Sequence, residues 1–438
     1  MIRVAKRPAG PALATGNAID TFAVLRALYV DFNSYFASVE QQLRPELRNR
    51  PVAVLPVMAE TTCCIAASYE AKALGVKTGT KVSDARKLCP QIIFVEARPL
   101  LYVQFHHRLI KVVESCTHVE KTLSIDEMVC KLTGSQQQRE NALALAQRIK
   151  RTITEKIGSE IHCSIGIAPN TFLAKVASNM QKPNGCVVIE ANELPDRLYP
   201  LKLRDLNGIG RRMEERLNHY GISTVQGLYA ANRSQLRTAW GSIEGERIYD
   251  KLRGLELYEV QHDRSSLGHS HVLPPELRTQ SAALSVLHRL LQKACMRLRS
   301  YGLHASAISV KVEFLNQPSW VAESTCSSTD DTLALIHALE QLWKTYPKRK
   351  TGPYAVGVSL TGLVDPNQRA MDLFLPASTS VEKKLDTVLD KLNMRYGKNT
   401  VYFGGAHNAL NNAPMRIAFN HIPDLDVEND GHAAERKS

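Results

Sequence analysis

Short apolar runs alternate with longer segments in which apolar residues recur at helical spacing, and this alternation continues to about residue 190. Short runs rich in branched side chains are typical of strands, and helical spacing indicates amphipathic helices. The predicted strands are 24–30, 119–125, 161–167 and 186–189, and the predicted helices are 100–115 and 141–157. Because helices of this kind cover one face of a sheet, the pattern predicts an α+β layer.

A compact insertion follows the first strand, and two further regions follow the α+β layer. The insertion has predicted strands at 52–57 and 62–67 and helices that begin near Ser68 and Val82. Residues 193–257 are predicted to be helical, and the polar, aperiodic segment 258–266 is typical of a linker. The last region has predicted strands at 268–273, 305–314, 320–326 and 354–360 and predicted helices at 281–300, 331–345 and 381–396.

Length and charge indicate several domains and a polyanionic partner. The chain has 438 residues, of which 44% are hydrophobic, and this is enough for about three packed domains. Lys and Arg outnumber Asp and Glu by 55 to 43, which gives a net charge of +12. Such an excess favours a polyanion as partner, although many basic proteins do not bind nucleic acid.

The nine cysteines show no CxxC spacing and lie mostly in apolar runs such as 63–66. Neighbouring residues of a strand cannot easily share a metal ion, so we expect buried, reduced thiols and a reducing, cytoplasmic location. No apolar run reaches the roughly 18 residues of a membrane span, and the N-terminus lacks the apolar core of a signal peptide. We therefore expect no membrane partner.

Two acidic patches lie at the ends of predicted strands, with Asp31 in the first and Asp126 and Glu127 in the second. Three carboxylates can thus converge at the edge of one sheet, and without a basic partner such a cluster is costly unless a cation binds it. The patches predict a divalent metal site suited to phosphoryl transfer with two ions about 4 Å apart. Adjacent strand residues face opposite ways, so Asp126 and Glu127 can both reach the ions only at a strand end or a tight turn. The alternative for an isolated Asp-Glu pair is a solvated turn.

Five stretches of the chain resemble, in order, the motifs of the Y family, the translesion DNA polymerases. They are DFNSYFASVE at 31–40, YEAKALGV at 69–76, SIDE at 124–127, CSIGIA at 163–168 with KPNG at 182–185, and NGIGRR at 207–212. Asn33 and the runs at 70–77 and 208–212 favour the UmuC-like branch over the DinB-like branch. The resemblance implies an α+β right-hand polymerase with a palm, small fingers, a helical thumb that contains a helix-hairpin-helix, and an α/β little finger.

The resemblance also implies a division into domains. The expected boundaries are an N-terminal arm at 1–20, a palm at 21–35 and 98–190, fingers at 36–97, a thumb at 191–257, a linker at 258–266, a little finger at 267–365 and a C-terminal tail at 366–438. In this family the little finger lies beside the duplex that the thumb grips.

The same resemblance assigns roles to the acidic residues. Asp31, Asp126 and Glu127 are expected to be the catalytic carboxylates and to bind two Mg²⁺ ions together with the backbone carbonyl of Phe32. Many members have a second acidic residue at the position of Asn33, but the UmuC-like branch is already neutral there.

The expected nucleotide-binding residues are Phe32, Asn33, Tyr35, Phe36, Tyr69, Lys72 and Lys182. Tyr69, Lys72 and Lys182 match positions that hold the triphosphate, where a cation and a hydroxyl offset the charge that develops as pyrophosphate leaves. Phe36 matches the steric gate, a ring against the sugar that excludes a 2′-hydroxyl and thus selects deoxynucleotides (dNTPs). Burial statistics alone would make Phe36 a core residue.

Two more motifs predict binding to macromolecules. Gly208, Ile209 and Gly210 precede an amphipathic helix whose first N–H groups can hold a DNA phosphate without reading sequence, although an ordinary turn between helices has the same pattern. The run at 370–374 resembles the peptide by which bacterial polymerases dock on the sliding clamp. Its expected clamp-binding residues are Met371, Asp372, Leu373 and Phe374, and a plain amphipathic stretch is the alternative.

Three functions remain open at this point. The first is a template-directed DNA polymerase of low fidelity that extends a primer past damaged bases, with primer-template DNA and dNTPs as substrates and a sliding clamp as partner. The second is a non-catalytic relative that recruits another polymerase to the clamp. The third is a helix-hairpin-helix DNA-binding or nucleotidyl-cyclase-like protein on a related palm. The UmuC-like resemblance also leaves room for activating accessory proteins.

Overall fold

The computed structural model describes residues 24–257, 264–347, 349, 351–366, 380–410 and 422–423. The predicted N-terminal arm, most of the predicted linker and the predicted clamp-binding residues Met371, Asp372, Leu373 and Phe374 lie outside the described residues.

Helices and strands follow the predicted order closely. The helices are α1 (Tyr35–Leu43), α2 (Tyr69–Ala73), α3 (Val82–Leu88), α4 (Pro99–Glu114), α5 (Arg139–Lys156), α6 (Thr171–Met180), α7 (Arg211–His219), α8 (Val225–Ala230), α9 (Arg233–Trp240), α10 (Glu244–Leu252), α11 (Gln280–Ser300), α12 (Thr332–Trp343) and α13 (Ser380–Tyr396). The strands are β1 (Ala27–Phe32), β2 (Val52–Leu55), β3 (Ala66–Ala67), β4 (Ile93–Glu96), β5 (Val119–Ser124), β6 (Glu127–Lys131), β7 (Cys163–Ala168), β8 (Cys186–Val188), β9 (Ser266–Val272), β10 (Ala305–Phe314), β11 (Gln317–Thr329) and β12 (Ala355–Thr361).

The chain divides into two units, one made of Met1–Asn33 and Arg108–Glu259 and the other of Ser34–His107 and Val260–Ser438. The first unit contains a five-stranded sheet in the order β5-β6-β1-β7-β8. Its central strand β1 is buried along its whole length, which explains its apolar sequence ALYVDF. Helices α5 and α6 contact this sheet, so the predicted α+β layer is confirmed.

The rest of the first unit is helical. Helices α7 to α10 follow the sheet, and no strand occurs between 191 and 257, a range that the structure describes throughout. Side chains cap the starts of two of these helices, since Thr224 accepts a hydrogen bond from the N–H of Gly227 and Asn232 accepts one from the N–H of Gln235. The predicted all-helical region is confirmed.

The second unit contains two smaller sheets. A three-stranded sheet in the order β3-β2-β4 has its own core, which includes Val76, Val82 and Ala85. A four-stranded antiparallel sheet in the order β11-β10-β12-β9 packs with α11 and α12 around a separate core. The predicted division into palm, fingers, thumb and little finger is compatible with these layers, and its boundaries stay predictions.

Some local predictions were wrong. The strand expected at 62–67 is reduced to Ala66–Ala67, because the backbone before it bonds elsewhere: the N–H of Cys64 donates to Thr80 O and the N–H of Val82 donates to Thr62 O. Strands β4 and β6 and helix α6 were not predicted.

All nine cysteines are free thiols. Five are buried, and burial raises the pKa of the Cys163 and Cys295 thiols to about 12, whereas Cys63, Cys116, Cys186 and Cys326 are half-buried. The expectation of buried thiols therefore holds for only part of the set. Within the described ranges, no helix combines the length and the apolar character that a bilayer crossing requires.

Candidate active site

A tight hairpin turn brings the two acidic patches of the first unit together. Strand β5 ends at Ser124, residues 125–126 form the turn, and β6 begins with Glu127. Strand β6 pairs antiparallel with β1, and Asp31 lies directly opposite Glu127 in that register. The backbone N–H of Phe32 donates to the carbonyl oxygen of Asp126 at 2.9 Å. The prediction that Asp126 and Glu127 lie at a tight turn is confirmed.

Two lysines pair with two of the three carboxylates. The Nζ atom of Lys182 lies 2.6 Å from Asp31 Oδ2, and the Nζ atom of Lys175 lies 2.8 and 2.9 Å from the two carboxylate oxygens of Glu127. The expectation that the acidic patches lack basic partners was wrong, because α6 and the turn before β8 carry these lysines to the sheet.

Burial dominates the electrostatics of the acidic group. It raises the pKa of Asp31 to about 6, since the loss of water outweighs the opposing effect of the Lys182 ammonium. Burial also raises the pKa of Asp126, although Ser124 Oγ donates a 2.7 Å hydrogen bond to its carboxylate and acts in the opposite direction. A second positive charge near this group would therefore be favourable.

The donor atoms at the turn are of the type that suits a hard divalent cation. Three carboxylates and the nearby carbonyl of Phe32 are oxygen ligands of the kind that Mg²⁺ prefers. Among the described side chains, no three His, Cys, Asp or Glu residues are arranged around a common point as a metal site would require. The ammonium groups of Lys175 and Lys182 engage two of the carboxylates instead.

Asn33 holds the loop that carries Lys182. Its side-chain oxygen accepts a 2.7 Å hydrogen bond from the N–H of Asn184, and its Nδ2 donates to Ser164 Oγ at 3.1 Å. Ser164 Oγ in turn accepts a hydrogen bond from the N–H of Gly185 at 3.3 Å. The amide of this buried residue therefore connects strand β7 with the loop at 182–185.

The second unit carries the remaining predicted nucleotide-binding residues. Tyr35 and Phe36 lie in the first turn of α1, which follows Ser34 in a left-handed conformation (φ 49°). Tyr69 and Lys72 lie on α2, where the Lys72 ammonium is 2.6 Å from Ser34 Oγ and 4.4 Å from the centre of the Tyr69 ring. This cation and the Ser34 hydroxyl are thus close together within one unit.

The predicted DNA-binding turn precedes α7. Gly208 has a φ of 88°, a conformation that favours glycine, and Gly210 is the N-cap residue of α7. The Ile209 side chain is buried, and its N–H donates to Leu206 O at 3.2 Å. Because the Ile209 N–H is already bonded, a phosphate at this turn would bind the backbone N–H groups at the start of α7.

Several residues of these sites were not predicted. Lys175 lies within a helix that the spacing of apolar residues did not indicate, and Ser164 has no polar neighbour in sequence. Glu40 on α1, Arg98 just before α4 and Tyr102 on α4 form a partly buried network. The sequence feature that could have indicated this network is the charged Glu40 at a core-facing position of a helix.

Comparison with known proteins assigns most of the chain to one family. Residues 30–179 match the impB/mucB/samB family, residues 264–373 match the C-terminal domain of that family, and residues 204–256 match a thumb domain described as that of DNA polymerase-iota. DNA polymerase IV of Moorella thermoacetica is 33% identical over 386 residues, which span 86% of this chain and 94% of that protein. DNA polymerase IV 1 of Bacillus subtilis is 28% identical over 404 residues, which span 90% of this chain and 95% of that protein.

Solved structures agree with these matches. A Y-family DNA polymerase chimera of Dbh and Dpo4 is similar to this chain with a TM-score of 0.67 and 26% identity, over 77% of this chain and 99% of the other. An insertion ternary complex of Dbh DNA polymerase has a TM-score of 0.52 and 26% identity, over 77% of this chain and 98% of the other. The expected right-hand polymerase fold is confirmed, and the chain belongs to the Y family of DNA polymerases.

Proposed function

We propose that this chain extends a primer 3′-hydroxyl with deoxynucleotides, past damaged template bases as well as normal ones, at a site built from Asp31, Asp126 and Glu127. The observation that carries the proposal is the β5–β6 turn, which brings the three carboxylates to the same end of β1 and β6. The chain is a DNA-directed DNA polymerase, since it belongs to the Y family and aligns with nearly the full length of relatives named DNA polymerase IV.

We further propose that Asp31, Asp126, Glu127 and the Phe32 carbonyl hold two Mg²⁺ ions. Divalent ions at such a site lower the pKa of the attacking hydroxyl and offset the charge of the leaving phosphate. The donor set supports this assignment because all its atoms are hard oxygen ligands.

Lys182 has two proposed roles that belong to different states. In the structure it neutralises Asp31. When it leaves that carboxylate, the same ammonium can bind a phosphate oxygen of the incoming nucleotide, as its position in the family motif implies. Asn33 supports both states because it holds the loop that carries the lysine.

The residues of the second unit are proposed to bind the rest of the nucleotide. Lys72 and the hydroxyl of Tyr69 would hold the triphosphate, and a lysine there supplies a point charge where many relatives have the bidentate fork of arginine. Phe36 would lie against the sugar and exclude a 2′-hydroxyl, so that the enzyme selects deoxynucleotides. Tyr35 supports this position from the same turn of α1.

The branch of the family is proposed from the names of the relatives. The sequence motifs favoured the UmuC-like branch, but the similar proteins are named DNA polymerase IV, and one similar structure, with a TM-score of 0.50 and 25% identity, is titled as DinB from Sulfolobus solfataricus. These names favour the DinB-like branch.

Primer-template DNA is the proposed macromolecular substrate. The N–H groups at the start of α7, after Gly208 and Gly210, would hold a backbone phosphate, and the net charge of +12 supports a polyanionic partner. Met371, Asp372, Leu373 and Phe374 are proposed to dock on a sliding clamp. Activating accessory proteins are a further proposal that rests on the UmuC-like motifs alone.

Primer extension tests the function directly. Purified protein with a primed template, dNTPs and Mg²⁺ should extend the primer, and the double change Asp126→Ala, Glu127→Ala should abolish extension while duplex binding is retained. The matched control is Glu140→Ala, Glu155→Ala, which removes two exposed carboxylates of α5 in the same unit and should keep full activity. If the wild-type protein binds DNA but adds no nucleotide, even with a clamp and activating partners present, the scaffold function replaces this one.

A further inference from the structure

Two helices of the second unit are joined by a four-residue cluster that includes the proposed gate. Phe36 and Glu40 are one helical turn apart on α1, and Arg98 and Tyr102 are one turn apart at the start of α4. The rings of Phe36 and Tyr102 stack with a centroid distance of 4.6 Å and an interplanar angle of 17°. The Glu40 carboxylate accepts hydrogen bonds from both Arg98 and Tyr102.

Glu40 is a fully buried carboxylate with a complete set of donors. Its side chain is 0% exposed, and Arg98 binds it with both arms of the guanidinium, at 3.0 Å from Nε to Oε1 and 2.5 Å from Nη2 to Oε2. The Tyr102 hydroxyl donates to Oε1 at 2.8 Å, and Arg44 Nη2 lies 3.5 Å from Oε2. A carboxylate is tolerated in the interior only when it is paired in this way, and the pairing fixes the geometry of its partners.

Tyr102 is therefore held both at its side-chain hydroxyl and at its backbone. Its hydroxyl is fixed by Glu40, and its backbone carbonyl accepts a 2.7 Å hydrogen bond from the Tyr35 hydroxyl. The ring has no exposed surface, and Phe36 is only 9% exposed. Phe36 thus has one face packed on a ring whose displacement would break the hydrogen bond between the Tyr102 hydroxyl and Glu40.

We propose that Glu40 and Arg98 are positioning residues for sugar selection, which act by holding the Tyr102 ring as a rigid support for Phe36. The inference rests on the proposed function, in which Phe36 excludes the 2′-hydroxyl. A steric gate discriminates by the distance between its ring and the sugar, so a gate that yields by a fraction of an ångström admits a ribonucleotide. The ion pair between the buried Glu40 and the partly exposed Arg98 lies behind the supporting ring and opposes that movement.

The test measures sugar discrimination, the ratio of kcat/KM for dCTP to that for CTP opposite a template guanine. Glu40→Gln removes the charge that holds Arg98 and should lower this ratio roughly tenfold, a size of effect typical of a displaced positioning group. Tyr102→Phe keeps the stacked ring but loses the hydroxyl that anchors it, and should lower the ratio less. Phe36→Ala, which removes the gate itself, should lower it most.

Two comparisons separate positioning from a merely structural role. Asp390→Asn breaks another bidentate arginine pair in the same unit, in which Arg299 Nε and Nη2 lie 2.7 and 2.9 Å from the Asp390 carboxylate. It should lower the melting temperature but leave the discrimination ratio unchanged. In a Phe36→Ala background, Glu40→Gln should have no further effect on the ratio, because both act through the same ring.

The inference is overturned if folded Glu40→Gln keeps the wild-type ratio, or if it lowers the ratio equally with and without Phe36. Should Glu40→Gln fail to fold, an unchanged ratio in Tyr102→Phe overturns it instead. Wild-type protein that incorporates neither nucleotide contradicts the proposed function. If the wild-type protein is active but Phe36→Ala leaves its ratio unchanged, the polymerase function stands. The assignment of Phe36 as the gate is then wrong, and so is this inference.

Discussion

The side-chain oxygen of Asn33 accepts a 2.7 Å hydrogen bond from the backbone N–H of Asn184, 151 positions further along the chain. Through this bond, a neutral residue beside the proposed catalytic carboxylates fixes the loop that presents Lys182 to Asp31. The amide thus has a structural task that a second acid could not fully perform, because an ionised carboxylate has no hydrogen to donate to Ser164.

Asn33→Ala should destabilise the first unit. It removes the acceptor of the Asn184 N–H and one of the hydrogen bonds of the buried Ser164 hydroxyl, and each lost bond typically costs about 0.5–1.5 kcal/mol of unfolding free energy. Urea unfolding followed by circular dichroism measures the change. Asn141→Ala at an exposed position of α5 is the control and should lose much less. Equal losses in the two variants would contradict the role given to Asn33.

Lys182→Ala should weaken nucleotide binding more than it affects folding. A charge-assisted hydrogen bond to phosphate contributes about 1.5–3 kcal/mol, so we expect KM for dNTP to rise about tenfold or more. Steady-state single-nucleotide incorporation measures this. Lys131→Ala, an exposed lysine at the end of β6, should keep the wild-type KM. An unchanged KM in Lys182→Ala would restrict Lys182 to its structural pairing with Asp31.

Magnesium should stabilise the wild-type protein through the carboxylates at the β5–β6 turn. A ligand that binds only the folded state raises stability by RT ln(1 + [L]/Kd), or about 2.7 kcal/mol at a hundredfold excess over Kd. Thermal melts with increasing MgCl₂, in the presence of DNA and dNTP, should show a rising Tm that Asp126→Ala, Glu127→Ala abolishes. The Glu140→Ala, Glu155→Ala control should respond like the wild type. Equal Tm shifts in all three proteins would indicate binding elsewhere.

His288 should make the second unit sensitive to acid. Burial lowers its pKa below the usual 6.5, although Glu340 Oε1, 3.7 Å from Nε2, acts in the opposite direction. The unfolded imidazole therefore binds a proton more readily than the folded one, so stability is lost as pH falls through 6.5 towards the folded pKa. His288→Leu should reduce the loss of Tm between about pH 7.5 and 5.5, the range around the imidazole pKa.

The control for this measurement is His337→Leu, at an exposed position of α12. It should keep the acid sensitivity of the wild type. If His288→Leu shows the same pH dependence as the wild type, the acid sensitivity arises from other groups.

The arrangement of elements could be predicted from periodicity, and the position of Asp126 and Glu127 followed from a simple rule. Adjacent carboxylates that must act together require a turn, and the turn was found. Local sequence patterns failed to predict secondary structure where hydrogen bonds to distant parts of the chain determine it. The run at 62–67 has the composition of a strand, but its first residues bond to the loop before α3 instead of to a neighbouring strand.

The partners of the acidic residues could not be predicted for a related reason. Lys175 and Lys182 reach the carboxylates only because α6 packs on β7, and this packing requires Gly166. A Cβ atom there would lie 1.9 Å from the carbonyl oxygen of Ala174. The sequence contains the glycine and both lysines, but only the folded sheet shows that they act on the same site.

The two ammonium groups at the β5–β6 turn have a consequence for how the protein folds in the absence of metal ions. A cluster of bare acids would repel itself and would depend on dissolved cations to fold. Lys175 and Lys182 remove that dependence, since they balance Glu127 and Asp31 from within the chain. We therefore expect the fold to form without bound cations, and we expect Mg²⁺ to replace these ammonium groups as counter-charges when it binds.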